Sequence, residues 1–96
     1  MSDIKLFKLV TNDEIICEIV SHEEDFFVIK NAVSIVYQKV EGGLSSGFSP
    51  FMPHSEGEIL LNANAIIGSG NLHPEVLANY NTLFSNLVVP PNKIIV

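Results

Sequence analysis

The amino-acid sequence predicts a mostly β domain, a small five-stranded barrel followed by one carboxy-terminal α-helix. Residues 4–40 form three apolar, β-branched runs separated by short polar turns, and turns containing glycine and proline divide the chain from there to residue 67. Beyond residue 70 the apolar residues recur at helical spacing instead. At 96 residues the chain is expected to form a single domain, 1–96, with an adequate core.

The first three strands are expected at about 4–10, 14–21 and 26–40. Asn12 and Asp13 supply the first turn, because both tolerate left-handed backbone conformations. The third strand is too long to remain flat in so small a domain. Since Lys30-Asn31-Ala32 is its only polar interruption, we predict a sharp bend or bulge near Asn31 and Ala32 that lets one strand serve both walls of the barrel.

The fourth and fifth strands are expected at about 44–53 and 58–67, and the helix at about 74–87. Two prolines and a glycine make 44–53 an edge strand, where missing N–H donors are tolerated. The helix is predicted from an amphipathic stripe of apolar residues, namely Val76, Leu77, Tyr80, Leu83, Phe84 and Leu87. Pro74 suits the first helical turn. The last residues, 94–96, either add to a sheet edge or remain unpaired.

Charge and hydropathy favour a homo-oligomer over a general nucleic-acid binder. The net charge is -6 and all five positive residues are lysines, so no guanidinium group is present for bidentate recognition of phosphate or guanine. A hydrophobic content of 47% and a mean hydropathy of +0.33 are high for a small soluble domain. After Glu58 only Glu75 and Lys93 are charged. We therefore expect a neighbouring subunit to cover part of the apolar surface.

No residue pattern indicates catalysis, a cofactor or a metal. His22-Glu23-Glu24-Asp25 groups an imidazole with three carboxylates that could bind a divalent cation, but its spacing matches no ligand loop and a solvated turn is favoured. His54 with Glu56 is an isolated pair without a nucleophile. Cys17, the only cysteine, excludes an internal disulfide and is expected to be a small buried hydrophobe. We therefore do not expect an enzyme.

Residues 9–19 together with 27–32 resemble the first motif of the Sm-like (Lsm) family. In that motif a glycine turn, a valine, a small residue and an apolar strand precede an aromatic-aspartate turn and the run Asn-Leu-Val-Leu-Asp-Asp-Ala. The sequence looks most like the divergent Sm-like proteins of bacteriophages that infect marine cyanobacteria. The resemblance implies an SH3-like open barrel with a strongly bent third strand. It also implies a homo-oligomeric ring, in which strand four of one subunit pairs with strand five of the next.

The resemblance further implies a site for single-stranded RNA in the loop after strand two. There the family uses an aromatic residue or histidine to stack a base and an asparagine to read it. His22 falls at the stacking position and Glu23 at the acidic one, whereas Phe26 takes the place of the reading asparagine. Lys30 is expected to contact phosphate. The family's second motif, Ile-Arg-Gly, should lie near residues 52–57, where no arginine is present.

The sequence therefore predicts a ring-forming Sm-like protein that binds single-stranded RNA weakly. The residues expected at the seam between subunits are Phe48, Phe51, Leu61 and Ile66. The alternative is a homo-oligomeric scaffold or protein-docking module that does not bind nucleic acid. The amino terminus has neither a basic lead nor an apolar run, so we expect no membrane association and a cytoplasmic location, the host cytoplasm if the protein is viral.

Overall fold

The computed structural model describes residues 3–88, with side chains to residue 84. Six strands and one α-helix form this part of the chain: β1 (Asp3–Leu9), β2 (Glu14–His22), β3 (Phe26–Val40), β4 (Gly43–Pro50), β5 (Ile59–Asn62), β6 (Ile66–Gly70) and α1 (Pro74–Val88). The mostly β class and the single carboxy-terminal helix are therefore confirmed. The prediction for residues 94–96 lies outside the described residues.

All six strands belong to one antiparallel sheet with the order β4-β3-β2-β1-β6, and β5 pairs with β3 beside this path. The sheet is strongly bent but remains open, because among residues 3–88 no backbone pairing joins β4 to β6. These two strands lie at the ends of the order, and β5 also has one side without a strand partner within residues 3–88.

The predicted bend in the third strand is confirmed at Asn31, whose φ of 52° lies in the left-handed region. Lys30 pairs with Glu18 and Val33 with Ile16, so two residues of β3 face one residue of β2 and form a bulge. Before the bulge β3 pairs with β5, and after it β3 pairs with β4. One strand thus contributes to two walls of the sheet.

The prediction of one continuous fifth strand over 58–67 is wrong. A 3₁₀ turn at Ala63–Ala65 divides this segment into β5 and β6. The Asn62 side chain accepts a hydrogen bond from the Asn64 N–H at 2.8 Å. This local hydrogen bond takes the place of the interstrand hydrogen bond that an extended backbone would make. The turn carries the chain from β3 across to β1. The fourth strand also differs from the prediction, since it ends at Pro50 and not at residue 53.

Apolar side chains pack on both faces of the sheet. The inner cluster fills the concave face with Phe7, Leu9, Ile15, Cys17, Ile29 and Leu61. The helix-side cluster lies on the other face, where Ile16 and Val33 meet Tyr80 of α1. Because neighbouring residues of β2 enter opposite clusters, Ile15 and Ile16 are both fully buried. This two-sided burial explains the imperfect alternation of the strands in sequence.

Helix α1 is joined to the bend of β3 by one hydrogen bond. The Tyr80 hydroxyl donates to the Asn31 carbonyl oxygen at 2.6 Å, and Tyr80 is 0% exposed. Val76 and Phe84 pack on either side of Tyr80 along the same helix face. The helix therefore holds the strained residue of the bulge from the outer face.

Candidate functional site

The inner cluster opens to solvent through a cavity of about 260 Å³ at one end of the sheet. Its lining combines aromatic, aliphatic and polar groups from β1, β2, β3 and β6, namely Asp3, Lys5, Phe7, Ile19, His22, Phe27 and Ser69. Lys5 is the only lysine or arginine of this lining among residues 3–88, and its Nζ donates to Asn71 Oδ1 at 3.1 Å. Asp3 contributes an opposite charge at the same opening. The cavity is thus aromatic inside and nearly balanced in charge at its rim.

An aromatic stack forms one wall of this cavity. His22 pairs with Phe27 across β2 and β3, and their rings are stacked with centroids 4.0 Å apart and planes at 11°. Phe27 in turn contacts Phe7, with ring centroids 5.2 Å apart. Because His22 is exposed, it presents a flat ring that is supported from behind by the core. Such a platform can stack a planar ligand such as a nucleobase.

The turn between β2 and β3 contacts the 3₁₀ turn between β5 and β6. The Ala63 N–H donates to the Asp25 carbonyl oxygen at 2.9 Å, and Phe26 pairs with Asn62. The amide side chains of Asn62 and Asn64 therefore lie on the turn adjoining the His22 loop. Sequence reasoning missed this proximity because it placed both asparagines inside a strand. The available signal was the spacing Asn-Ala-Asn, which is typical of a turn in which the first side chain bonds the backbone two residues on.

The structure brings together only part of the predicted RNA site. His22 and Glu23 are adjacent at the end of β2, and both are exposed. Phe26 and Lys30 alternate with Phe27 and so lie on the other face of β3. The Lys30 Nζ is 3.8 Å from Glu18 Oε1, which offsets its charge. Lys30 is therefore separated from the His22 ring by the sheet itself.

The predicted seam residues are used mainly within the subunit. Leu61 is 6% exposed in the inner cluster, and Phe51 and Ile66 pack against that cluster. Phe48 packs against the helix-side cluster. The large apolar side chains of β4 and β6 that remain at the surface are Leu44, 70% exposed, and Ile67, 62% exposed.

The two sheet edges lack the features that usually prevent edge pairing. Neither β4 nor β6 contains a charged residue, and their outer edges have no strand partner among residues 3–88. Monomeric proteins commonly protect such edges with lysine, bulges or covering segments. Proline occurs only at the last position of β4, and β6 has one bulge at its start. Most of each edge is open to another strand.

The cysteine and the acidic turn show no reactive arrangement. Burial, with smaller contributions from Asp3 and Glu18, raises the pKa of the Cys17 thiol to about 12, so it remains protonated and weakly nucleophilic at neutral pH. In the described part of the chain, no three His, Cys, Asp or Glu side chains group closely enough to hold a metal ion. The turn at His22–Asp25 is therefore described by its ring stack and backbone contacts.

Comparison with known proteins adds no relative to this picture. No family model matches the sequence, and no curated protein is significantly similar to it. Within residues 3–88, no helix combines the length and apolarity needed to cross a lipid bilayer. The features of the molecule that bear on its function are therefore the two open edges and the aromatic cavity.

Proposed function

We propose that the chain is an Sm-like protein whose principal function is assembly into a closed homo-oligomeric ring. In this ring β4 of one subunit pairs with β6 of the next. The observation that carries the proposal is the presence of two different, uncharged edges at opposite ends of the strand order, neither of which has a strand partner among residues 3–88. An interface between unlike edges leaves one edge free on each partner, so pairing continues from subunit to subunit, and it ends in a ring when the rotation between neighbours closes.

The position of the 3₁₀ turn supports the family resemblance. The family's Ile-Arg-Gly motif lies between its last two strands, and the corresponding link here begins at Leu61-Asn62-Ala63 instead of at residues 52–57. Leu61 is apolar and buried, and Ala63 is small, which suits the first and third positions of that motif. Asn62 stands at the arginine position. A neutral amide there preserves hydrogen bonding to a ligand but removes a phosphate contact.

The assembly proposal is tested by light scattering at micromolar concentration. The wild type is expected to be one discrete oligomer, and Leu44→Lys is expected to be a folded monomer because it places a charge on the open β4 edge. Val20→Lys is the matched control, since Val20 is also exposed and apolar but lies on the central strand β2. It should leave the oligomer intact. A wild type that is monomeric under these conditions would refute the assembly.

A second candidate function, binding of single-stranded RNA, is favoured by the His22–Phe27 stack. A base placed on the exposed face of His22 would extend an existing column of rings. The adjacent turn supplies the exposed Asn64 as a candidate group for reading base edges, whereas Asn62 pairs with Phe26 and therefore lies on the face opposite His22. Because the net charge is -6 and Lys5 is the only lysine or arginine lining the cavity within residues 3–88, phosphate contacts are expected to contribute little. Affinity should consequently fall only slightly as salt is raised.

Fluorescence anisotropy with oligo-U and oligo-A tests this second function. Loss of one stacked base corresponds to about 1–3 kcal/mol, so His22→Ala should weaken binding by roughly 5- to 150-fold. His22→Phe should retain most of the affinity. His54→Ala is the matched control, because His54 is an exposed histidine in the loop between β4 and β5. Absence of binding even at about 50 mM salt, where phosphate contacts are strongest, would exclude the RNA function and leave the assembly proposal standing.

A further inference from the structure

The aromatic cavity is open at the amino-terminal end of β1. β6 pairs with β1 only from Leu6 to Leu9, so among residues 3–88 the β1 residues Asp3 and Lys5 have no strand partner on that side. Both residues line the cavity. A ligand that enters here therefore passes two side chains of opposite charge before it meets the aromatic lining.

Asp3 and Lys5 lie on the concave face of the sheet together with Phe7. The three residues alternate along β1, so their side chains share one face, and Phe7 is buried in the inner cluster. On the neighbouring strand Asp3 pairs with Ile19 and Lys5 with Cys17, and both partners belong to the inner cluster or pack against it. The carboxylate and the ammonium group thus stand side by side at the edge of the cavity.

Both charged groups can bond a ligand. Within residues 3–88 the exposed Asp3 carboxylate makes no hydrogen bond and no ion pair, not even with Lys5 two residues away. The Lys5 Nζ donates to Asn71 Oδ1 at 3.1 Å, which uses one of the three donors of the ammonium group and leaves the others. The entrance therefore presents an unpaired carboxylate beside a positioned ammonium group.

The ring stack of His22 and Phe27 closes the cavity on the side of β3. Because β2 separates β1 from β3, the charged entrance and the ring stack are about 10 Å apart from backbone to backbone. The cavity volume of about 260 Å³ is just below the range of about 300–1,000 Å³ that is typical of small-molecule pockets. The space suits one planar ring system that contacts the stack and turns its edge towards β1.

The chemistry of the entrance distinguishes among the bases of RNA. An ionised carboxylate only accepts hydrogen bonds, and an ammonium group only donates them. Guanine carries two adjacent donors, N1–H and the 2-amino group, next to the acceptor O6, so it can bond both carboxylate oxygens and the ammonium group at once. Uracil has one donor between two acceptors, and adenine and cytosine have one amino group beside a ring acceptor. Each of these three bases leaves one carboxylate oxygen unpaired.

We infer that the cavity binds a guanine base of single-stranded RNA, with its ring on His22 and its Watson–Crick edge at Asp3 and Lys5. This inference rests on the RNA-binding function proposed above and names the base. A net charge of -6 favours contacts to a neutral base over contacts to phosphate. The two edge-reading residues lie on β1 and not in the loop that contains His22, so the family resemblance gave no indication of them.

Fluorescence anisotropy with short RNAs that differ only in the central base tests the inference. The wild type should bind U-U-G-U-U about tenfold or more tightly than U-U-A-U-U. It should also prefer U-U-G-U-U to U-U-I-U-U, because inosine lacks only the 2-amino group and so loses one hydrogen bond to Asp3. Equal affinity for all these RNAs would refute the recognition of guanine while the RNA function stands. Absence of binding to any of them would refute both.

Asp3→Asn tests the carboxylate with effects of opposite sign. The amide has one acceptor oxygen and no charge, so affinity for the guanine RNA should fall by about tenfold or more, and the difference between guanine and inosine should shrink. Affinity for the adenine RNA should stay the same or rise, because a negative charge has been removed. Asp25→Asn is the matched control, since Asp25 is also exposed but lies in the turn between β2 and β3. Parallel changes in the two variants would show that Asp3 acts only through its charge and would overturn the inference.

Free guanosine separates recognition of the base from recognition of the RNA backbone. In millimolar excess guanosine should displace U-U-G-U-U from the wild type, whereas adenosine should not. In two-dimensional NMR spectra, the largest amide shifts on adding guanosine should occur at Lys5, Ile19 and Ser69, which line the cavity. Failure of guanosine to displace the RNA would contradict recognition of the base, and shifts confined to other residues would contradict its position.

Discussion

Removing the Tyr80 hydroxyl should destabilise the fold by about 1–2 kcal/mol. In the structure this hydroxyl donates to the Asn31 carbonyl oxygen at 2.6 Å, and the tyrosine ring is fully buried. A neutral hydrogen bond contributes about 0.5–1.5 kcal/mol, and a buried carbonyl left without a donor costs about 1–3 kcal/mol. Asn31 is only half-buried, so water can partly replace the donor after Tyr80→Phe. The expected loss is therefore in the lower part of the combined range.

The measurement is urea unfolding in the Leu44→Lys background, so that assembly does not contribute to the apparent stability. The midpoint should fall with an unchanged m-value, because Tyr80→Phe alters a contact and not the surface exposed on unfolding. Tyr37→Phe is the matched control. Its hydroxyl also donates, to Glu14 Oε1 at 3.2 Å, but Tyr37 is 61% exposed, so its loss should be less than about 0.5 kcal/mol. Equal losses in the two variants would show that α1 does not hold the bulge through this hydrogen bond.

Two further predictions concern the titration of Cys17 and the left-handed turn at Asn12. The pKa of the thiol rises from 9.0 in the unfolded chain to about 12 in the fold. Below pH 9.0 the thiol is protonated in both states, so its contribution to the free energy of unfolding does not change with pH. Above pH 9.0 the unfolded thiol ionises first, so between about pH 9 and 10 stability should fall by up to about 1.4 kcal/mol per pH unit, a slope that urea titrations of Cys17→Ala should lack. At higher pH the Tyr80 hydroxyl, whose pKa is also raised by burial, adds a slope of its own. Asn12 has a φ of 79°, so Asn12→Ala should cost about 1–2 kcal/mol while Asn12→Gly costs nothing. Thermal melts of the two Asn12 variants with the same midpoint would contradict that reasoning.

The bend of β3 could be predicted because local chemistry and chain length agreed on it. A strand from Phe26 to Val40 exceeds what a small domain can accommodate flat, and Asn31 is the residue in it most tolerant of a positive φ. The change of partner from β5 to β4 at the same point follows from the bulge. Helix α1 was predictable for a similar reason, since its apolar stripe is long and Pro74 marks the first turn of the helix.

The 3₁₀ turn at Ala63–Ala65 and the side chains left exposed at the sheet edges could not be predicted, because both depend on how the strands pair in the folded chain. Residues 58–67 alternate well enough for one strand, and only the hydrogen bond from Asn64 to the Asn62 side chain divides them. That division sends Leu61 and Ile66 into the inner cluster and leaves Ile67 at the surface. Apolar content alone cannot distinguish a residue that fills its own core from one that meets a neighbour. For the same reason Lys30 was assigned to the RNA site, although strand alternation places it on the face opposite His22.

The open edges and the cavity have a common origin in the Asn31 bulge. By turning β3, the bulge lets β5 pair with its first part and complete the inner cluster, while β4 follows its second part away from that cluster. The hairpin of β3 and β4 then projects beyond the inner cluster, and every residue from 36 to 47 is exposed. On the projecting end, Tyr37 and Leu44 remain exposed although they carry no charge. Under the proposed assembly a neighbouring β6 would cover these two side chains, so the bend that shapes the aromatic cavity would also position the β4 edge for pairing.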